Sequence, residues 1–175
     1  MIRKATAADI DSVEQSYLQL LDHEALHGGH TNWVRDVYPT RATAEGALSE
    51  GTLFVLEEDG AVRGSMILNQ TQLPEYAGID WAYPAQQVLV IHTFCIPPAQ
   101  AGRGYGRAMV RFALEEAARQ GCQALRLDTY AGNEPAAGLY RGLGFRYAGR
   151  AECDFQGLIT EPLIFFEHPV ENAHQ

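Results

Sequence analysis

Apolar residues early in the chain recur at helical spacing. Ile10, Val13, Tyr17 and Leu20/Leu21 stand three or four positions apart, which puts them on one face of a helix. Thr6, a favourable N-cap with Asp9 three places on, opens this helix close to a capping-box arrangement, and Gly28-Gly29 ends it. Residues 2–5 read as a short strand, 33–39 as irregular, and 43–50 as a second helix closed by Gly51. Two strands, 52–57 and 62–69, then flank Asp59-Gly60, a hairpin signal. The connection over 70–87 is longer than a hairpin needs and holds Pro74, Tyr76, Trp81, Tyr83 and Pro84. Ordered connections of such length are often functional.

Beyond it, an apolar strand over 88–96 runs through Pro97-Pro98 into a glycine-rich stretch, and a helix follows from about 106 to 120. Val110, Ala113/Leu114 and Ala117 make the buried stripe of that helix, while Arg107, Arg111, Glu115 and Arg119 make a polar one at i,i+4 spacing. Gly121 closes it. On the next strand, 124–130, Leu125 and Leu127 alternate with Arg126 and Asp128. A short helix over 135–141 and an antiparallel pair, 145–152 and 159–167, complete the pattern, and 170–175 reads as a frayed tail.

The glycine-rich stretch is Gln100-Ala101-Gly102-Arg103-Gly104-Tyr105-Gly106-Arg107-Ala108. Its alternating glycines let the backbone turn tightly and bring N–H groups close to an anion. It opens straight into a helix, whose first N–H groups lack partners and carry the positive end of the dipole. Arg103 and Arg107 add full charges. The chemistry is that of a phosphate or pyrophosphate cradle. It is not a lysine P-loop, because Arg107-Ala108 follows Gly106, and the glycine spacing is not that of a dinucleotide fingerprint.

Downstream stand Asn133-Glu134-Pro135-Ala136-Ala137 and Leu139-Tyr140-Arg141-Gly142-Leu143-Gly144-Phe145. Together with the loop, the stretch from Val88 to about Tyr147 resembles the GNAT superfamily of acetyl-CoA-dependent N-acetyltransferases. That family's signature is Arg/Gln-x-x-Gly-x-Gly/Ala before a helix, then strand, Asn, a helix with Tyr, and Gly-Phe. One position departs: Ala101 stands where the family places Arg or Gln, with Gln100 one place early. The resemblance implies an α/β fold with a mixed α+β sheet, β-α-α-β-β-β-α-β-α-β-β, in which the fourth and fifth strands splay. It implies one N-acetyltransferase domain over 1–169 with a tail over 170–175.

The resemblance also implies roles. Acetyl-CoA would pair its pantetheine arm with the backbone of Phe94, Cys95 and Ile96, and set its pyrophosphate on the loop of Ala101, Gly102, Arg103, Gly104, Tyr105, Gly106 and Arg107. Asn133 stands where family members bond the pantetheine or adjacent backbone, and it also fits a helix cap ahead of Pro135. Tyr140 stands where many members place a hydroxyl near the thioester sulfur, and it also fits core packing beside Leu139 and Phe145. For the general base, His92 is the first candidate, since imidazole titrates near neutrality; a histidine satisfied inside the sheet and a chain of waters are the alternatives, and Asp128 and Thr93 follow. His27, His30, Trp33, Tyr38, Trp81 and Asp128 are candidate acceptor contacts. The 70–87 connection reads either as a wall of the acceptor site or as a dimer contact or packed flap.

The chain's 175 residues suit one domain with a sizeable core. A formal charge of −9 argues against general nucleic-acid binding and is compatible with a cationic amine acceptor. Apolar runs such as 88–91 fall far short of the ~20 residues a bilayer span needs, and the opening Met1-Ile2-Arg3-Lys4 does not read as a signal peptide. Cys95, Cys122 and Cys153 show no metal-ligand spacing, so reduced thiols in a cytoplasmic protein are expected. The expected activity is acetyl transfer from acetyl-CoA to the primary amine of a small or amino-acid-like molecule, with no metal, no membrane and a homodimer left open; a protein N-terminus is the competing acceptor. Two rivals stand beside it. One is a non-catalytic acyl-CoA sensor on the same fold. The other is a zinc hydrolase using His23-Glu24-Ala25-Leu26-His27, which matches His-Glu-x-x-His, with no obvious third-ligand motif after it and Glu45 and Glu50 as the remaining candidates.

Overall fold

A computed structural model describes residues 1–155 and 157–171 of the chain; of the expected tail, 172–175 lie outside the described residues. Seven strands form one sheet in the order β1-β2-β3-β4-β5-β7-β6. They are β1 (Ile2–Lys4), β2 (Leu53–Glu58), β3 (Ala61–Asn69), β4 (Val88–Cys95), β5 (Ala124–Tyr130), β6 (Arg146–Phe155) and β7 (Ile159–Pro169), with helices α1 (Ile10–His27), α2 (Arg41–Glu50), α3 (Tyr105–Arg119) and α4 (Glu134–Gly142). β4 and β5 pair in parallel from Val88↔Ala124 to Ile91↔Leu127. β5 pairs antiparallel with β7, and β7 with β6. The expected element order is therefore the observed one.

Contacts gather into two compact units: Met1–Gly29, Trp33–Leu68 and His92–Val110 form the first, and His30–Asn32, Asn69–Ile91 and Arg111–Gln175 the second. In the first, the periodic face of α1 buries Ile10, Val13 and Tyr17 with Ala44 and Ala47 of α2 and with Leu53, Val55, Ile67 and Cys95 of the strands. α2 starts at Arg41, earlier than the apolar pattern indicates, because Thr40 and Thr43 form a reciprocal cap across its first turn. Gly64 lies so close to β4 that a Cβ there would stand 2.5 Å from Ile96 Cδ1, 2.9 Å from Met109 Sδ and 3.3 Å from the Cys95 carbonyl oxygen.

In the second unit β5 keeps the expected alternation, but both of its faces are covered at Arg126. Leu125 and Leu127 are buried, but so is Arg126, at 1% exposure. The reason lies in what covers its face. The 70–87 segment forms two short 3-10 turns, Pro74–Gly78 and Ala85–Gln87. Its Tyr76 joins Val88, Val90, Ala124, Ala148, Cys153, Leu163 and Phe165 in one core cluster, with Leu73, Ile79, Trp81 and Tyr83 packed against it. The segment is thus a packed layer over this sheet face. Arg126 is accommodated because every part of its guanidinium is met. Nε donates to Glu167 Oε2 at 3.0 Å, Nη1 to Gln72 Oε1 at 2.7 Å and Nη2 to the Tyr83 carbonyl at 2.5 Å, while Trp81 stacks 4.1 Å beneath. Glu167 also accepts from the Ala82 N–H at 2.7 Å. Ile164, Phe165 and Phe166 of β7 are buried, so this apolar strand completes the core.

Candidate functional site

The glycine-rich loop belongs to the first unit. After a 3-10 turn at Pro98–Gln100, Gly102 and Gly104 adopt φ of +76° and +80°, values that side chains with a Cβ resist. A Cβ on either would meet nothing within 4 Å, so both face open space. α3 begins at Tyr105, and the Ala108 N–H bonds the Gly104 carbonyl at 3.1 Å. The N–H groups of Tyr105, Gly106 and Arg107 therefore fall in the helix's first turn, where no i−4 carbonyl exists for them. Ala101, Arg103 and Arg107 are exposed, and the Tyr105 hydroxyl bonds the Glu58 carboxylate. A backbone bent at two glycines, open on its outer side and leading into a helix start, fits an anionic phosphate group.

Ahead of the loop, β4 carries an unusual backbone. Thr93, a β-branched residue inside a strand, sits at φ +46°. Such conformations cost about 1–3 kcal/mol and persist where surroundings hold them. Here the Tyr38 hydroxyl bonds Thr93 Oγ1. His92, Phe94 and Ile96 around it are half-buried. Cys95 is buried, its thiol directed at the Ser16 carbonyl at 3.7 Å and pushed up to about 12 by burial, so it is a packing residue in its protonated form. Trp33 meets Tyr38 edge-on, 6.1 Å between centroids, whereas His27 is exposed. His23 and His27 stack 4.5 Å apart on α1, and among the described residues no group of three or more metal-ligating side chains assembles around them or elsewhere.

The second unit holds the other candidates. Asn133 caps α4, its Oδ1 accepting from the Ala136 N–H at 3.2 Å. Tyr140, on α4, is 4% exposed and packs against Phe145 and Phe166 at 5.6 and 5.7 Å. Burial, and then the charge of Asp128, push its hydroxyl far above the usual phenol range. Asp128, on β5, accepts from the Tyr76 hydroxyl at 2.5 Å. Burial raises its carboxyl to about 6, Glu75 adds to the rise, and the Tyr76 bond opposes it. Glu161 is also raised, by burial, while Asn32 donates to it at 2.9 Å. Cys153 nearby is pushed up to about 12 by burial and then by Glu75, Asp128, Glu161 and Glu152. Trp81 lies tilted against Tyr76 at 5.3 Å and meets Phe165 edge-on at 6.0 Å. His30 is exposed.

Of the candidates from sequence, the second unit brings Tyr140, Asp128 and Trp81 into one neighbourhood, and the first brings Trp33, Tyr38 and Thr93 together. Sequence reasoning missed Tyr76, Glu75 and Glu161, which surround Asp128, and the Arg126–Glu167 pair. One signal was available: Arg126 and Glu167 are charges inside otherwise apolar strands, and the β5/β7 register sets them directly opposite.

Residues 16–145, a span that includes the glycine-bent loop and α4, match the family profile described as acetyltransferase (GNAT) family. The chain belongs to the GNAT family of acetyltransferases. Over 75 residues it is 33% identical to streptothricin acetyltransferase of Streptomyces lavendulae, a stretch covering 43% of this chain and 40% of that relative. Its fold is similar to that of a GNAT-family acetyltransferase from Streptococcus agalactiae, with a TM-score of 0.84 at 20% identity over 98% of this chain and 96% of the other. It is also similar to yncA of Salmonella typhimurium, solved with its cofactor acetyl-CoA, with a TM-score of 0.68 at 21% identity over 100% and 96% of the two chains. Among the described residues no helix is long and apolar enough to cross a membrane.

Proposed function

We propose that this GNAT chain moves an acetyl group from acetyl-CoA to a primary amine of a small molecule, by direct attack while both are bound. The observation that carries the reading is the loop. Gly102 and Gly104 hold positive φ, face open space and deliver the chain into the first turn of α3. In this reading the N–H groups of Arg103, Gly104, Gly106 and Arg107 take the pyrophosphate, and the backbone of Phe94, Cys95 and Ile96 takes the pantetheine arm. When bound, acetyl-CoA supplies a thioester carbonyl and a thiolate leaving group. Tyr140 gives that sulfur its proton; a phenol raised by burial stays protonated at neutral pH and is available as a donor. Asn133, already occupied as a helix cap through its carbonyl oxygen, keeps its amide N–H groups for the cofactor. The streptothricin acetyltransferase relative supports a small-molecule acceptor over a protein N-terminus.

Calorimetric titration with acetyl-CoA tests the loop. Micromolar binding is expected, weakened at least tenfold by Gly104→Trp, which fills the open side and cannot hold φ +80° without strain. Absence of binding overturns the transferase and the sensor readings together. Thiol release with streptothricin, spermidine and a short peptide as acceptors then separates transferase from sensor, and small molecule from N-terminus.

A further inference from the structure

The 70–87 segment reaches the sheet face of the second unit at one polar point, and that point is Asp128. Tyr76 is 2% exposed, and aromatic contacts to Trp81 at 5.3 Å and Phe165 at 5.1 Å hold its ring. Its hydroxyl donates to Asp128 Oδ2. The groups that interact with Asp128 are Tyr76 and Glu75 from the segment, Tyr140 from α4, Cys153 from β6 and Glu161 from β7. None of them is a cation. Arg126, two places back on the same strand, is taken up by Glu167, Gln72 and Tyr83. Glu75 Oε2 is buried without a hydrogen-bond partner. A half-buried ionised carboxylate facing acids and neutral hydroxyls lacks the positive charge that desolvated carboxylates normally acquire. An ammonium group arriving as substrate would supply it.

We infer that Asp128 is the catalytic base that receives the proton of the acceptor ammonium, and that Tyr76 is its positioning residue. This rests on the transferase reading above. The step balances as follows. The ammonium gives one proton to the Asp128 carboxylate, and the freed nitrogen lone pair forms the C–N bond as the C–S bond breaks. The departing sulfur takes the Tyr140 proton, the second nitrogen proton restores the phenol, and Asp128 returns its proton to solvent. One proton leaves per turnover. The rise of the Asp128 carboxyl to about 6 suits this task, because it is ionised at neutral pH yet a better proton acceptor than an ordinary aspartate. His92 is then not the base.

Two measurements test the assignment. Carbon-13 NMR of the Asp128 carboxyl in the free chain is expected to show titration near 6, and a higher midpoint in Tyr76→Phe, because the lost bond favoured the anion. Titration in the ordinary carboxylate range, or no movement in Tyr76→Phe, overturns the positioning role whether or not an acceptor has been found. Rates of CoA release with streptothricin and with spermidine, followed from about pH 5 to 9, are expected to fall on the acid side with the NMR midpoint. That limb moves upward in Tyr76→Phe, vanishes in Asp128→Asn with kcat lowered roughly 100-fold or more, and persists in His92→Gln. A limb that persists in Asp128→Asn and vanishes in His92→Gln overturns the inference and leaves the transferase reading standing. A wild-type chain that releases no CoA with any amine overturns that reading, and the catalytic role with it.

Discussion

Asp128 and Glu167 are two carboxylates on one face of the same sheet region, and they are treated in opposite ways. Glu167 is 1% exposed, paired with Arg126 at 3.0 Å, approached by Arg146 at 3.5 Å and bonded by the Ala82 N–H. Its charge is answered by fixed partners, and those partners tie the 70–87 segment to β5 and β7. Asp128, two residues from Arg126, has a phenol for its partner and Glu75 and Glu161 for neighbours. One carboxylate builds the fold. The other is left to a neutral donor among acids, the arrangement that the catalytic role inferred above requires.

Breaking the answered charge has the largest expected effect. Arg126→Ala leaves the Glu167 carboxylate buried with its main partner gone, and about 3–5 kcal/mol of stability is lost, read as a fall in the urea midpoint. Arg126→Met combined with Glu167→Leu recovers much of that loss, since it removes both charges and keeps apolar volume.

The unanswered charge behaves in reverse. A carboxyl whose folded pKa lies near 6, above its unfolded value of 3.8, contributes stability that is complete below the unfolded value and lost as pH rises through 6. Asp128→Asn is therefore expected to stabilise the chain at pH 8 by about 1–3 kcal/mol and to change it little at pH 4, as thermal melts at the two pH values would show. Equal effects at both pH values would remove the distinction between the two carboxylates. Tyr76→Phe is expected to cost about 1–2 kcal/mol at pH 8 and less at pH 4, where the carboxyl is neutral and the bond weaker. Smallest is Arg146→Ala: this arginine is half-exposed and lies at the rim of the Glu167 cluster, and its loss is expected to shift stability by less than about 1 kcal/mol.

Much of the first unit was legible in the sequence. The periodic face of α1, the hairpin at Asp59-Gly60 and the glycine loop all depend on local rules: helical spacing, turn chemistry, and backbone N–H groups that a helix start leaves over. The second unit was legible in its elements but not in its polar interior. Alternation along β5 placed Arg126 and Asp128 on one face, correctly, and said nothing of what covers that face. It is covered, because a connection of mixed composition folds back over it. That connection carries three aromatic residues, Tyr76, Trp81 and Tyr83, and nothing in their spacing distinguishes the tyrosine that reaches Asp128 from the two residues that only pack.

The sequence by itself determined the order of the elements, the family and the glycine-bent entry of the loop into α3. Each rests on neighbours along the chain, or on backbone groups whose chemistry does not depend on what else is near. Tertiary structure decided which charges are answered. Arg126 meets Glu167 across 41 residues and Tyr76 meets Asp128 across 52, and a carboxylate's pKa is set by burial and by the charges around it. Those are properties of the assembled fold, and no window along the chain contains them.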